Sequence, residues 1–314
     1  MAEMVKKATR ESYGEALKEL ADQYPQVVVL DADLAEATKT GIFKKAYPDR
    51  FIDCGIAECD MVGVAAGLAT CGKIPFATSF AMFSTGRAYE QVRNSVGYPK
   101  LNVKIVGSHA GISVGEDGAT HQCNEDIALM RTIPGMVVLN PSDHYEMKAA
   151  VKAAIEHYGP VYIRLGRLAV ESFNNADDYK FELGKGITLK DGKDITVIAT
   201  GLMVSRALEA VKTLAEQGID ARLINIHTIK PIDREIIVKA AQETGKIITV
   251  EEHNVIGGLG DAVCSVLSEE CPTPVMKIGV NDVFGHSGPA QDLLDEFGLN
   301  AEHIVETAKK ILKK

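Results

Sequence analysis

Between Gly115 and Gln122 the chain reads GEDGATHQ: two carboxylates, two glycines and a histidine within eight positions, close behind Gly107-Ser108-His109. Such groups can bind a metal, move a proton or hydrogen-bond a polar ligand. The metal reading is weak, because His109 and His121 have no i, i+4 spacing and Asp117 alone does not complete a ligand set. A phosphate loop fits no better. The GxxxxGK[ST] lysine is missing, and two acids would repel a phosphate. What remains is a polar set that hydrogen-bonds the hydroxyls of a small substrate, with the arginines farther along, Arg164 and Arg167, holding its anionic end.

A second candidate is Glu58. The residues after it, CDMVGVAAGLATCG, are apolar on nearly every face and predict a buried helix, in which Gly63 and Gly67 let another backbone approach closely. A carboxylate opening a buried helix costs several kcal/mol unless it is hydrogen-bonded or protonated, which is why such groups concentrate in active sites. A structural ion pair is the alternative. Asp31 and Asp33, which follow the apolar VVVL, have the alternative of capping a helix.

These residues follow short apolar runs, and the runs alternate with helical patterns along the chain. An amphipathic stretch from 10 to 23 precedes VVVLD at 27 to 31, VKIVG spans 103 to 107, VVLNPSD at 137 to 143 ends a strand with Ser142 or Asp143 as cap, and VYIR spans 161 to 164. Strands joined by helical crossovers make a mostly parallel, doubly wound α/β sheet, whose ligands sit at the carboxyl ends of the strands. Asp31, Glu58, His109 and Arg164 all fall at such ends. From 171 to 192 the pattern lapses into a polar, glycine-bearing linker, and from 193 to 314 the alternation resumes. The expectation is two α/β domains, 1–170 and 193–314, both of ordinary domain size.

Composition narrows the partners. With 46% apolar and 25% charged residues the chain is globular, and a net charge of −9 repels nucleic acid and acidic membrane surfaces. No window approaches the ~18 apolar residues of a membrane span. Six cysteines without a CxxC pair read as reduced thiols. With no secretory signal, a cytoplasmic location is expected.

Several segments together resemble the pyrimidine-binding domain of transketolase, in order and spacing: RFIDCGIAECDMVGVAAGLA, PFATSFAMFSTGRAYEQVR, GSHAGISVGEDGATHQCNEDIALMRTIPGM, PSDHYE and GPVYIRLGR. LINIHTIKPID and VEEHNVIGGLGDAV resemble the carboxyl-terminal domain of the same family, so the resemblance spans essentially the whole chain. It implies thiamine diphosphate as cofactor and transfer of a two-carbon ketol unit, as in the pentose phosphate pathway. Glu58 of the GIxE motif would contact the aminopyrimidine ring nitrogen, a role suited to a carboxyl group in an apolar pocket. Phe80 or Phe83 would stack on that ring, with Asp33 also at the cofactor; one residue more than in some relatives precedes Arg87. His109, His121 and Asp117 match residues that bind sugar hydroxyls and assist proton transfer. Arg167 matches one that holds the substrate phosphate. Lys6 stands near a position where many transketolases have a phosphate-binding arginine, and lysine there keeps the charge but loses the bidentate fork.

The family's diphosphate-and-magnesium motif, GDG, occurs nowhere in the 314 residues. The resemblance therefore implies a C-terminal subunit of a split transketolase, without a metal site of its own, pairing with a separate N-terminal subunit that holds most of the magnesium contacts, two copies of each. Two enzymes of similar plan are the alternatives: the beta subunit of a 2-oxoacid dehydrogenase decarboxylating component and deoxyxylulose-phosphate synthase. A non-catalytic relative that only binds a partner is the third.

Overall fold

The computed structural model describes residues 5–175 and 179–313. VVVLD forms the fully buried strand Val27–Asp31, and the amphipathic run before it forms the helix Thr9–Leu20, which turns Tyr13, Ala16 and Leu17 inward. The first sheet has seven strands, in the order Thr228–Lys230, Val137–Leu139, Val161–Arg164, Lys104–Ser108, Ile74–Phe80, Val27–Asp31 and Phe51–Asp53. All neighbours are parallel except the first pair. The second sheet has five strands, Val275–Val280, Ile247–Asn254, Ile195–Ala199, Ala221–Asn225 and Ile187–Lys190, with only the last antiparallel. Helices cover both, giving two α/β units with mostly parallel sheets, as the alternation of patterns predicts.

The units are more entangled than a tandem reading suggests. Thr228–Lys230 lies beyond residue 193 yet extends the first sheet, and one apolar cluster runs from Leu30, Ile105 and Ile127 to Ile226, Ile237 and Leu259. The polar stretch 171–192 is bonded down at both ends. Glu171 closes a strand, Ala169–Glu171, that pairs antiparallel with Lys6–Ala8, and Ile187–Lys190 is an edge of the second sheet. Within the stretch, the amides of Phe173 and Asn174 donate to Asp143, and Tyr179 donates to buried Glu146. Residues 176–178 of this stretch, and 1–4 of the first domain, lie outside the described residues.

Asp143 caps the helix His144–Glu156, its carboxylate accepting from the Glu146 amide at 3.0 Å. Ser142, the other candidate cap, instead donates through its amide and hydroxyl to the Glu146 carboxylate. The helix Glu58–Thr70 corrects an expectation. Met61, Val62, Ala65 and Ala66 face inward, but Asp60, Gly63 and Gly67 are exposed, and open space surrounds both glycines. Beyond Asp60, the scarcity of polar side chains on that face comes from glycine, not from burial by this chain. No helix among the described residues is long and apolar enough to cross a membrane.

Candidate active site

Glu58 is the first residue of its helix, where the unpaired backbone N–H groups favour negative charge. It is 2% exposed, and Arg87 Nη1 donates to its Oε2 at 2.8 Å. No other described residue donates to either carboxylate oxygen. The ion-pair alternative is thus present in the structure. Its cation, however, stays about half exposed and lines an open cleft, with the guanidinium 4.5 Å from the Phe83 ring centroid.

That cleft has a volume of about 780 Å³ and lies between the two units, bounded by Met82 and Phe83 on one side and by Asp282, Val283 and Phe284 on the other. Phe83 lines it; Phe80 does not. Phe80 is buried, its ring 4.1 Å from that of His109, 6.1 Å from that of Phe83 and 6.2 Å from that of His121. Phe83 meets His121 edge-on at 5.3 Å. Two histidines from opposite ends of the connection between Lys104–Ser108 and the helix Asp126–Thr132 therefore converge on one aromatic cluster. They form no metal site: among the described residues no three His, Cys, Asp or Glu side chains are grouped to hold an ion.

The two imidazoles differ. His109 is buried, with a left-handed backbone (φ 54°), and bonds Ser108 Oγ at Nδ1 (2.9 Å) and Arg10 Nη1 at Nε2 (3.2 Å). Burial, and then the charges of Arg10, Arg167 and Lys39, bring it down to about 3, so it is neutral near pH 7. Because a guanidinium only donates, Nε2 is the acceptor and Nδ1 carries the proton. His121 is less buried; Thr120 Oγ1 meets its Nδ1 at 3.0 Å, and its Nε2 is free of described partners.

The cations are not all where the sequence puts them. Arg10, which sequence reasoning missed, spans Ala37 O (2.8 Å) and His109. Lys6 sits exposed in the short Lys6–Ala8 strand, opposite Glu171, so the cation from this part of the chain that reaches His109 is Arg10, four residues on. Arg167 is close enough to both groups to lower their proton affinity and is itself bonded to Glu116 (2.6 Å) and the Val114 carbonyl. Arg164 is corrected to a structural role. Fully enclosed, it grips Asp126 through Nε (2.7 Å) and Nη2 (3.2 Å) and the Glu252 carbonyl at 2.8 Å. Asp117 and Asp33 are exposed, and the Asp33 backbone is left-handed (φ 63°). Asp31 is the buried one. It accepts from the Leu34 amide, Thr38 and Thr40, and so shapes the 33–40 loop that carries Lys39.

The second unit braces the GEDGATHQ loop. Glu252 accepts from the Ser113 amide at 2.7 Å, Gln122 donates to the His286 carbonyl at 3.0 Å, and Asn254 donates to the Asn124 carbonyl at 2.7 Å. Gly111 is required there: its φ is +85°, and a Cβ would lie 2.4 Å from Glu252 Oε1. Gln122 Oε1 and Asn124 Oδ1, on residues that line the cleft, are buried without a hydrogen-bond partner among the described residues.

Two α/β units that place a buried glutamate and an aromatic–histidine cluster beside a shared cleft define a fold of the thiamine-diphosphate type. Residues 5–172 match the family model of the transketolase pyrimidine-binding domain, and residues 184–304 match that of the transketolase C-terminal domain. The chain belongs to the transketolase family, whose members are thiamine-diphosphate-dependent transferases. It is 51% identical over 312 residues to a Methanocaldococcus jannaschii protein provisionally named a transketolase C-terminal section, covering 99% of this chain and 98% of that one. It is 45% identical over 305 residues to a 6-deoxy-6-sulfo-D-fructose transketolase subunit of a Clostridium species, covering 97% and 94%. The solved structure of a split-gene transketolase in an inactive β4 tetramer is 55% identical, with a TM-score of 0.91 over 98% of this chain and 99% of that one.

Proposed function

We propose that this chain is the C-terminal subunit of a split transketolase, moving a two-carbon ketol unit from a ketose phosphate to an aldose phosphate together with a separate N-terminal subunit. The observation that carries this reading is the placement of Glu58, buried at a helix start, beside a cleft that Phe83 lines and whose aromatic cluster joins His109 to His121. Thiamine diphosphate would be held by Glu58 and the Phe83 ring, with Asp33 at a neighbouring strand end. When bound it supplies a nucleophilic carbon for the ketose carbonyl. The diphosphate and magnesium would rest mainly on the partner subunit, in an assembly of two copies of each chain, a reading supported by relatives named as a section or a subunit. The six free cysteines suit a reducing, cytoplasmic setting.

The chain's own residues then have distinct tasks. Glu58 shares a proton with the cofactor ring at Oε1, the oxygen Arg87 leaves alone. Neutral His109 donates through Nδ1 to Ser108 and accepts at Nε2 from Arg10, so it holds the Arg10 guanidinium in place at the substrate side rather than giving up a proton. His121, with Nε2 unengaged, is placed to bind and exchange a hydroxyl proton, and Asp117 stands on the same loop. Arg10 and Arg167 offer an anionic substrate two guanidinium groups in a protein of net charge −9.

The test uses material purified through this chain from its native cells, so that the partner comes with it. With thiamine diphosphate and magnesium, sedoheptulose 7-phosphate should form from xylulose 5-phosphate and ribose 5-phosphate, and Glu58→Ala should lower the rate by at least about 10²-fold. A complex that contains the partner yet ignores every ketose phosphate overturns the reading. The sulfofructose relative makes a sulfonated ketose the donor to run in parallel.

A further inference from the structure

After the strand Ile74–Phe80 the chain makes two π-helical turns, Met82–Arg87 and Val92–Gly97. Their mark is in the backbone: the Ala88 amide donates to the Phe83 carbonyl at 3.1 Å and the Tyr98 amide to the Arg93 carbonyl at 2.8 Å, each five residues back instead of four. A π turn takes up one residue more than an α turn, and π turns recur at functional sites. The extra residue rotates the rest of the helix by about 100° relative to α-helical register. Since the first turn ends at Arg87, it decides where that side chain lands. It lands on Glu58 Oε2 at 2.8 Å and over Phe83 at 4.5 Å.

We propose that Arg87 is a positioning residue for Glu58: by bonding Oε2 it fixes the carboxyl rotamer and leaves Oε1 for the cofactor ring. This rests on the transketolase reading of Glu58. Three observations carry it. Arg87 is the one described donor to the Glu58 carboxylate, which is 2% exposed and would otherwise be a buried, uncompensated charge. The guanidinium is stacked on Phe83, the aromatic ring that lines the cleft, so one side chain registers both groups against each other. The Arg87 carbonyl also accepts from the Cys59 thiol at 3.6 Å, tying the end of the π turn to the first turn of the Glu58 helix.

The experiment has two readouts. In the purified chain, the carboxyl ¹³C resonance that disappears in Glu58→Gln is compared at one pH in wild type, Arg87→Met and Arg87→Lys, with circular dichroism confirming the fold. Arg87→Met should displace and broaden it as the carboxyl samples more than one rotamer, and Arg87→Lys, which keeps charge but not the planar stack, should recover part of the change. In the complex with its partner, Arg87→Met should lower kcat of two-carbon transfer by about 10-fold or more while KM for the ketose phosphate stays within about threefold. An unchanged Glu58 resonance in Arg87→Met overturns the proposal whether or not the chain is a transketolase. A changed resonance with an unchanged kcat overturns it too, leaving only a structural ion pair. Failure of the transketolase reading itself shows separately, as a wild-type complex that transfers nothing.

Discussion

Replacing Asp126 with Asn should cost more stability than any single substitution on the rim of the cleft. The carboxylate is fully buried and receives Arg164 Nε at 2.7 Å, Arg164 Nη2 at 3.2 Å and the Tyr162 hydroxyl at 2.6 Å. Asparagine keeps the volume but leaves a guanidinium enclosed without its counter-charge, and breaking one side of a buried pair costs about 3–5 kcal/mol. Tyr162→Phe removes one hydrogen bond to the same carboxylate, about 1.5–3 kcal/mol, toward the lower figure because Arg164 Nε still holds Oδ2. Asp126→Asn should therefore exceed Tyr162→Phe by about 2 kcal/mol in urea unfolding followed by circular dichroism. Burial pushes the Asp126 carboxyl up, but Arg164 and then His253 bring it below its usual range. A depressed folded value stabilises the protein above the unfolded value near 4, and that contribution is lost as pH falls through the folded value, so wild type and Asp126→Asn should converge in acid. Equal losses for the two variants, or a gap that does not narrow as pH falls below about 4, would refute the assignment of Arg164 as a structural cation. The pair also bears on the site, since Arg164 holds the Glu252 carbonyl and thereby the residue that cradles Ser113.

Gly111→Ala forces a side chain into a left-handed backbone and against Glu252, and should lose about 2–4 kcal/mol in the same assay. Gly55→Ala, with φ +65° and nothing within 4 Å, is its control and should lose only about 1–2 kcal/mol. Burial pushes Asp31 up to about 6 against the bonds from Thr38, Leu34 and Thr40, so its folded value lies above its unfolded one. The stability of wild type relative to Asp31→Asn should consequently fall as pH rises from about 4 to about 6, and a flat difference across that window would contradict it. Arg10→Met and Arg167→Met should each raise KM for xylulose 5-phosphate by about 10- to 100-fold, the worth of one charge-assisted hydrogen bond, while leaving KM for unphosphorylated xylulose within about threefold. Equal effects on both sugars would remove these arginines from the anion site.

The sequence by itself determined much of this protein. Local periodicity marked the strands Val27–Asp31, Lys104–Ser108 and Val161–Arg164, and the GIxE, Gly107-Ser108-His109 and GEDGATHQ segments placed Glu58, His109, Asp117 and His121 at strand ends or in the adjoining loops. Those are properties of neighbours in the chain. Tertiary structure alone decided which charges meet. Arg164 and Arg167 are three residues apart, yet the first is sealed against Asp126 and the second reaches Glu116 at the rim, because strand pleating and the turn after the strand send them to different surroundings. Arg10 meets His109 across 99 positions, and Arg87 meets Glu58 through a π turn: the extra residue before Arg87 was visible in the sequence, but not the partner it would bring the guanidinium to. The exposed face of the Glu58 helix looks apolar to any periodic reading, since glycine carries no side chain to report which face its own fold has covered. A sequence pattern fixes direction along one element; pairing between elements is set by how the sheets twist and close, and that is information held by the whole chain at once.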